Sequence, residues 1–443
     1  MKNEMLIVTT SFFNKTGNQS LFETVKEYSK YYKVTLVTSA DTRESIYLSV
    51  NEAKRMIPNI RIVNKRTPIL KLAKKIKKLT NLISLNSTSN ISPSKDRLSN
   101  SKSSFLTKVS FTLNKKSLNK IVDDLLYKGN FLPKYICAYE IGAVPTVVRL
   151  KKMFGKDIVA FAKFQGTVLG SIIDKLDMEN HEIEKAYWMD YQALKIASFL
   201  DGCIMTNDGT RGKEVLEKFN VDSDKILFVP NGVSELCEKK KFDMEKHKRD
   251  FNYPIKLFTL SRLIYWKRVD LSVKIIAKLV HHFKDQRFTL NIYGPGNKDE
   301  VLEIKNLIKK LRVEKYVNYL GSVSYEQTPD VFAKNDILVS LYMMNNITNP
   351  VLEAIYYGIP VMTIYKKDLV SIMGERSSSC ILLEDSEEER LIMNAANKLN
   401  SLKLQDLERL YEEMKYKSTN ITTWSNRIKS EISFIENLGG TNK

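Results

Sequence analysis

The sequence predicts an α/β protein with two domains, each built on a mostly parallel sheet. Short apolar segments that suit buried strands alternate with segments whose apolar residues recur at helical spacing, a pattern typical of parallel sheets covered by helices. This series starts near residue 5 and starts again near residue 255. At 443 residues the chain also exceeds what one hydrophobic core usually supports. We therefore expect two such domains that face one another across a cleft.

The first half of the chain has the pattern of one domain, expected over residues 1–232. We predict its strands, in chain order, over residues 5–10, 33–38, 60–63, 135–138, 158–164, 202–206 and 226–229. A helix is predicted across residues 182–199, where the apolar spacing is helical. Residues 86–104 consist mainly of Ser, Asn and Lys with little to bury, which indicates a flexible insertion.

The second half repeats the pattern, and its domain is expected over residues 233–418. Its predicted strands cover residues 256–260, 288–293, 317–320, 337–340 and 361–364, with helical patterns between them. Ligands of such sheets bind beyond the carboxyl ends of the strands. Residues 419–443 close the chain with apolar residues at helical spacing, namely Ile421, Trp424, Ile428, Ile432 and Ile435.

A basic segment at residues 61–120 carries most of the positive charge. It holds 15 Lys or Arg and one acid, Asp96, in a chain of formal net charge +19. Such a segment attracts phosphate-rich partners, whether nucleic acid, anionic lipid or an anionic polymer. Within it, residues 69–83 combine an apolar stripe with lysines on the other sides. An ordinary surface helix and a helix that binds an anionic membrane surface explain this pattern equally well.

Cysteine usage and hydropathy argue against several protein classes. The four cysteines are scattered, with no CxxC pair and no histidine cluster at metal-ligand spacing, so we expect neither a metal site nor structural disulfides. No run reaches the roughly 18 apolar residues that a membrane-spanning helix needs. The apolar run at residues 5–8 is too short for a secretion signal. These features favour a cytoplasmic protein.

Two cations follow the predicted strand at residues 256–260. Arg262 and Lys267 lie five residues apart, before a segment with a helical apolar face. A guanidinium group can grip two phosphate oxygens while an ammonium group adds a point charge, and together they stabilise a diphosphate leaving group. By spacing alone, an ordinary solvated charge pair is the commoner explanation.

The next strand ends have further candidate residues. Gly294 begins a Gly-Pro-Gly turn after residues 288–293, where backbone can approach a ligand closely. A helix is predicted to start near Asn349, and its amide groups favour an anion. We expect Glu353 on the first turn of this helix, where it either binds a ribose diol or complements the helix dipole.

Five motifs in this order resemble those of the retaining glycosyltransferases of family 4, which have the GT-B fold of two Rossmann-like domains. They are FVPNGV (228–233), LSRLIYWKRVDLSVKIIAKL (260–279), NIYGPG (291–296), VNYLGSV (317–323) and NPVLEAIYYGIPV (349–361). Each motif is weak alone, but their shared order over about 130 residues is specific. The resemblance is diffuse before residue 228.

The resemblance implies how a nucleotide-sugar donor is bound. Arg262 and Lys267 would bind the diphosphate and Glu353 the ribose, while Gly294 would lie beside the donor. The family has a second Glu eight residues before Glu353, where this chain has Asn345. We expect Asn345 to hydrogen-bond the donor sugar, and with Arg262 and Lys267 it forms the candidate catalytic set.

The remaining candidate residues follow from the same motifs. Pro350 has no amide proton, so Asn349 and Val351 are the expected phosphate donors. In the first half, the segment FQGT places Gln165, Gly166 and Thr167 after a predicted strand. Many family members have a histidine beside the donor sugar, and Gln165 is the expected substitute on the sugar and acceptor side.

The resemblance also implies the reaction and the partners. A hexosyl or N-acetylhexosaminyl group would move, with retention, from a nucleotide-sugar, with UDP favoured, to a cell-surface glycan, lipid-linked or polymer acceptor. Neither a metal nor another cofactor is expected. The basic segment suggests a peripheral location on the inner face of the membrane, and a homo-oligomer or a partner transferase is an open possibility.

Three alternatives remain at this point. A non-catalytic partner of another transferase fits the replacement of Glu by Asn345. A nucleic-acid binder fits the net charge, but no recognised binding module is present, so no nucleic-acid partner is expected. An epimerase of the same fold would need acid-base carboxylates, which the sequence does not identify.

Overall fold

The computed structural model describes residues 2–11, 19–39, 50–64, 102–129, 131–175, 181–234, 254–324, 327–344, 346–365, 369, 372 and 380–440. The candidate helix at residues 69–83 lies outside these residues. Most of the insertion predicted at residues 86–104 also lies outside them, as does the candidate sugar ligand Asn345.

The chain divides into two compact units. Unit 1 comprises Met1–Val229 and Ile428–Lys443, and unit 2 comprises Pro230–Arg427. The sequence placed the corresponding limits after residues 232 and 418. The boundary after Arg427 falls inside the last helix, Trp424–Leu438. The start of this helix therefore belongs to unit 2 and the rest of it to unit 1.

Unit 1 is built on a seven-stranded parallel sheet with the order β3-β2-β1-β4-β5-β6-β7. Its strands are β1 (Glu4–Thr9), β2 (Lys33–Thr38), β3 (Arg61–Val63), β4 (Tyr135–Tyr139), β5 (Val159–Phe164), β6 (Gly202–Thr206) and β7 (Ile226–Val229). All seven were predicted to within one residue at each end, because each is a short apolar run bounded by polar residues.

The helices of unit 1 agree less well with the sequence. They are α1 (Gln19–Tyr31), α2 (Val50–Met56), α3 (Lys102–Lys128), α4 (Val144–Phe154), α5 (His181–Ala186), α6 (Trp188–Lys195) and α7 (Gly212–Lys218). The single helix predicted at residues 182–199 was wrong, since Tyr187 leaves the helical region (φ −115°, ψ 34°) and separates α5 from α6. The predicted insertion was wrong at its end, because residues 102–104 begin α3.

Alternate residues of the unit 1 strands lie in two separate cores. Leu6 and Val8 of β1 belong to one buried cluster, whereas Met5 and Ile7 belong to another. Successive side chains of a strand point to opposite faces of the sheet, so both faces of this sheet are covered. This explains why the strands are apolar throughout instead of alternating with polar residues.

The last helix, α14 (Trp424–Leu438), completes one of these cores. Ile428, Ile432 and Ile435 pack in the cluster that also contains residues of β1 and α1. Ile421, which precedes the helix, is buried in a core of unit 2. The apolar stripe predicted from the sequence is therefore shared between two cores, and the chain returns to unit 1 to cover its sheet.

Unit 2 is built on a six-stranded parallel sheet with the order β10-β9-β8-β11-β12-β13. Its strands are β8 (Ile255–Leu260), β9 (Phe288–Tyr293), β10 (Val317–Gly321), β11 (Ile337–Ser340), β12 (Val361–Ile364) and β13 (Cys380–Leu383). The sequence missed β13, a four-residue strand. Its helices are α8 (Val269–Lys278), α9 (Lys298–Lys310), α10 (Thr328–Lys334), α11 (Asn349–Tyr356), α12 (Glu388–Ser401) and α13 (Leu404–Lys417). The predicted α/β fold class, with a parallel sheet in each half, is confirmed.

The strand orders place a topological switch point in each sheet. In unit 1 the chain leaves β3 at one edge and returns beside β1 as β4, and in unit 2 it leaves β10 and returns beside β8 as β11. Loops that follow the two central strands diverge at such a point and leave a crevice for ligands at the carboxyl ends.

The turn after β9 is fixed to the neighbouring loops of unit 2. The Gly294 amide donates to the carbonyl of Gly321 at 2.7 Å, and Leu263 donates to Pro295 at 2.9 Å. Gly294 has φ 141°, and a Cβ there would lie 1.7 Å from the carbonyl oxygen of Ser261. Only glycine lets the backbones after β8 and β9 approach this closely.

We expect Gly294→Ala to destabilise unit 2 because its Cβ meets backbone that cannot move without breaking these hydrogen bonds. Gly321→Ala is the matched control, since Gly321 also has a positive φ of 78° but has no atom within 4 Å of its added Cβ. The control should cost about 1–2 kcal/mol, and Gly294→Ala should cost more. Urea unfolding measures both, and an equal cost would contradict the close approach.

Candidate functional site

The carboxyl edge of the unit 2 sheet carries both cations singled out from the sequence. Arg262 is the second residue after β8 and is exposed. Lys267 ends a single 3-10 turn, Tyr265–Lys267, and is partly buried. Arg268 then adopts the left-handed conformation (φ 50°, ψ 39°) that starts α8. Both cations thus belong to the loop at the switch point between β8 and β11.

Aromatic side chains hold the Lys267 ammonium in place. Its Nζ lies 4.1 Å from the ring centroid of Trp266 and 3.5 Å from that of Tyr342. The two rings meet edge to face at 6.2 Å, and the Met343 amide donates to the Trp266 carbonyl at 3.1 Å. Cation–π contacts of this kind orient an ammonium group without neutralising it. The loops after β8 and β11 are therefore joined around a positive charge.

Tyr342 is a site residue that the sequence reading missed. Its side chain is buried, and burial raises the pKa of its hydroxyl above the ordinary value, an effect that the nearby hydroxyls of Ser261, Ser340 and Thr348 reduce. A buried neutral phenol beside three hydroxyl groups adds hydrogen-bonding capacity to the crevice. Its place directly after a buried strand was the available signal.

Helix α11 starts at this crevice with buried polar atoms before it. Thr348 occupies the N-cap position, but its side chain makes no capping hydrogen bond. Both Asn346 and Thr348 are over nine-tenths buried. In the part of the chain that the structure describes, the Oδ1 of Asn346 and the Oγ1 of Thr348 have no hydrogen-bond partner. Buried polar atoms are normally paired. These atoms and the helix amide groups together mark a polar ligand site.

The first turn of α11 contains the two predicted phosphate donors. Asn349 and Val351 are its first and third residues, with Pro350 between them. The side-chain Oδ1 of Asn349 accepts from the Nδ2 of Asn231 at 2.8 Å, so this side chain is tied to the start of unit 2. The backbone amides remain the groups of this turn that suit an anion.

Glu353 is the fifth residue of α11, and its predicted place on the first turn was wrong. The helix begins at Asn349 and has no acid in its first turn. The dipole effect falls off within one turn, so complementing the dipole does not explain this residue. Its side chain is only 5% exposed, and a carboxylate buried to this extent needs partners.

The carboxyl edge of the unit 1 sheet carries the second group of candidates. After β5, the Oε1 of Gln165 accepts from the Ser20 hydroxyl at 2.5 Å. The Thr167 amide donates to the Oγ1 of Thr210 at 3.0 Å. Gly166 has φ 118°, and a Cβ there would lie 2.2 Å from Oδ2 of Asp208. The segment Gln165–Thr167 is therefore fixed by side chains from α1 and from the loop after β6.

Glu140 is a second site residue that the sequence reading missed. It follows β4 in the left-handed conformation (φ 70°), which is strained for a residue with a Cβ. Its carboxylate accepts from the Gln165 amide at 3.2 Å. Burial raises the pKa of the carboxyl group to about 8, aided by Asp190 and Asp208 and opposed by the Gln165 amide and the Lys163 ammonium. An acid at the end of an apolar strand was the available signal.

The described residues contain no group of three His, Cys, Asp or Glu placed to hold a metal ion. Cys137, Cys203 and Cys380 are buried free thiols, and Cys237 lies outside the described residues. In the same part of the chain, no helix is long and apolar enough to cross a membrane.

Known proteins share parts of this sequence. Residues 240–417 match the family model described as "Glycosyl transferases group 1". The phosphatidylinositol N-acetylglucosaminyltransferase gpi3 subunit of Schizosaccharomyces pombe is 25% identical over 139 residues, 31% of this chain and 28% of that protein. The GPI3 subunit of Saccharomyces cerevisiae is 24% identical over 153 residues, 34% of this chain and 33% of that protein. The match thus spans about a third of these relatives.

Solved structures share the fold over nearly the whole chain. HepE of Anabaena in complex with UDP and glucose has a TM-score of 0.63 at 13% identity, covering 97% of this chain and 99% of that one. Sucrose-phosphate synthase of Thermosynechococcus elongatus has a TM-score of 0.67 at 12% identity, covering 99% and 100%. A glycosyltransferase of Rickettsia africae has a TM-score of 0.64 at 14% identity, covering 100% of each chain.

These likenesses agree with the two parallel sheets and with the motifs on the unit 2 edge. The chain has the GT-B fold, and its residues 240–417 match the family model of the group 1 glycosyl transferases.

Proposed function

We propose that this chain is a retaining glycosyltransferase that moves a hexosyl or N-acetylhexosaminyl group from a UDP-sugar to a glycan, lipid-linked or polymer acceptor. The observation that carries the proposal is the switch point of unit 2, where the Lys267 ammonium and the N-terminus of α11 both lie at the carboxyl edge. Positive charge and the backbone amides of a helix N-terminus at one crevice suit a diphosphate.

Donor binding is assigned to unit 2. Lys267, stacked between Trp266 and Tyr342, is oriented before the donor arrives, so little side-chain entropy is lost on binding. Arg262 is exposed and can close on the diphosphate with its planar fork. The first-turn amides of Asn349 and Val351 bind phosphate oxygens, and Gly294 lets the donor approach the backbone after β9.

The sugar and the ribose are assigned to the other polar groups of this edge. The buried Glu353 carboxylate accepts hydrogen bonds from the ribose diol, and Asn345 contacts the donor sugar. The buried oxygens of Asn346 and Thr348 accept from donor hydroxyl groups. A polar group that is unpaired when the site is empty discriminates strongly for a ligand that pairs it.

Unit 1 is assigned the acceptor. Gln165, Gly166, Thr167 and Glu140 lie at the carboxyl ends of β4 and β5. A pKa of about 8 keeps the Glu140 carboxyl protonated at neutral pH, so it can both donate to and accept from an acceptor hydroxyl. On this proposal the acceptor attacks on the face that the diphosphate leaves, and a donor phosphate oxygen takes its proton. Rate enhancement then comes from orientation and charge stabilisation.

Two features of known proteins support the proposal. The matched family comprises group 1 glycosyl transferases, and HepE, a neighbour by fold, has been solved with UDP-glucose. The alternative of a non-catalytic partner keeps two arguments: Asn345 replaces the acid of the family pattern, and the histidine that many family members have beside the donor sugar is absent. Turnover separates the two functions.

We expect purified protein to release UDP from a UDP-sugar when a suitable glycan or lipid-linked acceptor is present. A screen of UDP-, GDP- and ADP-linked hexoses and N-acetylhexosamines, with mass analysis of the product, tests this. Release of no nucleotide from any donor by folded protein would favour the partner role. Release without an acceptor-linked product would instead favour an epimerase or a hydrolase.

Lys267→Met should weaken UDP binding about 10- to 100-fold, because a charge-assisted hydrogen bond contributes about 1.5–3 kcal/mol. Methionine keeps the apolar contacts with both rings, so the unfolding temperature should change little. Calorimetric titration with UDP measures the affinity. Lys278→Met, at the end of α8 in the same unit, is the control and should bind UDP as the unaltered protein does.

Glu140 should make the stability of unit 1 depend on pH. Its folded pKa of about 8 is above the ordinary value of 4.5, so its contribution is fully present below about pH 4.5 and is lost as the pH rises through about 8. Glu140→Gln imitates the protonated group and should lose less stability between pH 6 and pH 9. Urea unfolding at both pH values measures this, with the exposed Glu217→Gln as control. Identical pH dependence in all three proteins would refute the raised pKa.

For the basic segment, we propose attachment to an anionic membrane surface through residues 69–83. The apolar stripe and the lysines together bind anionic lipid more strongly than either would alone. Flotation with vesicles of phosphatidylcholine and phosphatidylglycerol should recover the full chain and recover much less of a variant with Lys71, Lys74, Lys75, Lys77 and Lys78 changed to Gln. Equal recovery would remove the membrane role.

A further inference from the structure

A fully buried ion pair links β5 to the last helix of the chain within unit 1. The Lys163 ammonium contacts both carboxylate oxygens of Glu431, at 2.8 and 2.7 Å, and neither side chain is exposed. The ammonium also donates to Oγ1 of Thr24 at 2.8 Å. The Tyr28 hydroxyl donates to Glu431 at 2.5 Å. Three elements, α1, β5 and α14, therefore meet at one pair of charges.

Stability alone does not explain this pair. Removing two charges from water costs several kcal/mol for each ion, and their attraction repays this only with good geometry and further hydrogen bonds. Apolar residues of similar volume at such positions are often equally stable or more stable. The pair differs from them in being directional, since it fixes where each of the three elements lies.

The ion pair affects the residues after β5 because two hydrogen bonds between α1 and this part of the chain have nearly the same spacing on both sides. Ser20 and Thr24 are four residues apart on one face of α1, a rise of about 6 Å. Lys163 is the fifth residue of β5 and Gln165 directly follows the strand, so the two are separated by at most about 6.6 Å along the chain. Ser20 bonds to Gln165 and Thr24 bonds to Lys163. Two bonds at nearly equal spacing fix α1 lengthwise against β5.

The same pair is connected to Glu140 through the backbone of β5. The Glu140 amide donates to the Lys163 carbonyl at 2.9 Å, and the Glu140 carboxylate accepts from the Gln165 amide. A shift of β5 or α1 therefore moves both groups assigned to the acceptor. Glu431, on α14, pairs with the Lys163 ammonium and so links this arrangement to the last helix.

We propose that Lys163 and Glu431 are positioning residues for the acceptor, which lock α1, β5 and α14 together so that Gln165 and Glu140 keep one orientation. This inference rests on the proposed function, because it assigns Gln165 and Glu140 to acceptor binding. Neither Lys163 nor Glu431 contacts the substrate. The donor residues belong to unit 2, so donor affinity does not depend on the pair.

The double variant Lys163→Met/Glu431→Leu tests the proposal. We expect its unfolding midpoint to equal or exceed that of the unaltered protein, with the same affinity for UDP. The acceptor KM should rise at least tenfold with the donor and acceptor that give the fastest UDP release. The side-chain amide signals of Gln165 in ¹⁵N-glutamine-labelled protein, assigned by their loss in Gln165→Asn, should move towards the positions of solvent-exposed glutamines.

The matched control removes another ion pair of unit 1. Lys151 of α4 and Asp201, the residue before β6, lie 2.8 Å apart, and Lys151→Met/Asp201→Asn should leave both the acceptor KM and the Gln165 signals unchanged. If the double variant does not fold, Thr24→Val replaces it, since it removes the tie between Lys163 and α1 and keeps the ion pair. For Thr24→Val we expect a smaller rise of the acceptor KM and a smaller shift of the Gln165 amide signals.

Two results would overturn the proposal. One is that the Gln165 amide signals of the variants have the same positions as in the unaltered protein. The other is an unchanged acceptor KM in a variant of an active enzyme. If the unaltered protein transfers no sugar with any donor, the proposed function fails, and the amide signals still decide whether the ion pair orients Gln165.

Discussion

Parallel pairing of every strand is the constraint on which the candidate site depends. Within each unit, all carboxyl ends of the strands lie at one edge of the sheet. Residues that follow different strands are therefore close together there, even when they are far apart in sequence. The switch point of unit 2 then selects the loops after β8 and β11. In unit 1 the candidate residues follow β4 and β5. Sheets buried on both faces also explain the apolar strands, which keep this edge rigid.

At the carboxyl edges of the sheets, the candidate residues of unit 2 include the cations Arg262 and Lys267, and those of unit 1 include the carboxyl group of Glu140. The rings of Trp266 and Tyr342 orient the Lys267 ammonium through cation–π contacts. The close approach at Gly294 sets the neighbouring turn. In unit 1 two hydrogen bonds hold the strained backbone of Glu140. Its amide donates to the Lys163 carbonyl, and its carboxylate accepts from the Gln165 amide. A cationic donor site and a protonatable acceptor site are the division of labour that we propose for sugar transfer.

The C-terminal helix connects folding to this edge. Its isoleucines fill the core that β1 and α1 also line, while Glu431 brings a charge that the sheet could not supply from its own strands. Because α14 follows unit 2 in the chain, unit 1 is completed by residues that lie beyond unit 2 in the sequence. The ion pair thus couples the end of the sequence to Gln165, near its middle.

The sequence alone determined the strands other than β13, the two parallel sheets and the motif order of unit 2, because short apolar runs and strand-end residues are local signals. It also identified Arg262, Lys267 and Gly294 at strand ends. The tertiary structure decided what depends on neighbours distant in the chain: the break at Tyr187, the place of Glu353 on the second turn of its helix, the ring contacts of Lys267, and the strained Glu140. The Lys163–Glu431 pair belongs here too, since its partners are separated by 268 residues and no local pattern marks a lysine inside an apolar strand as paired.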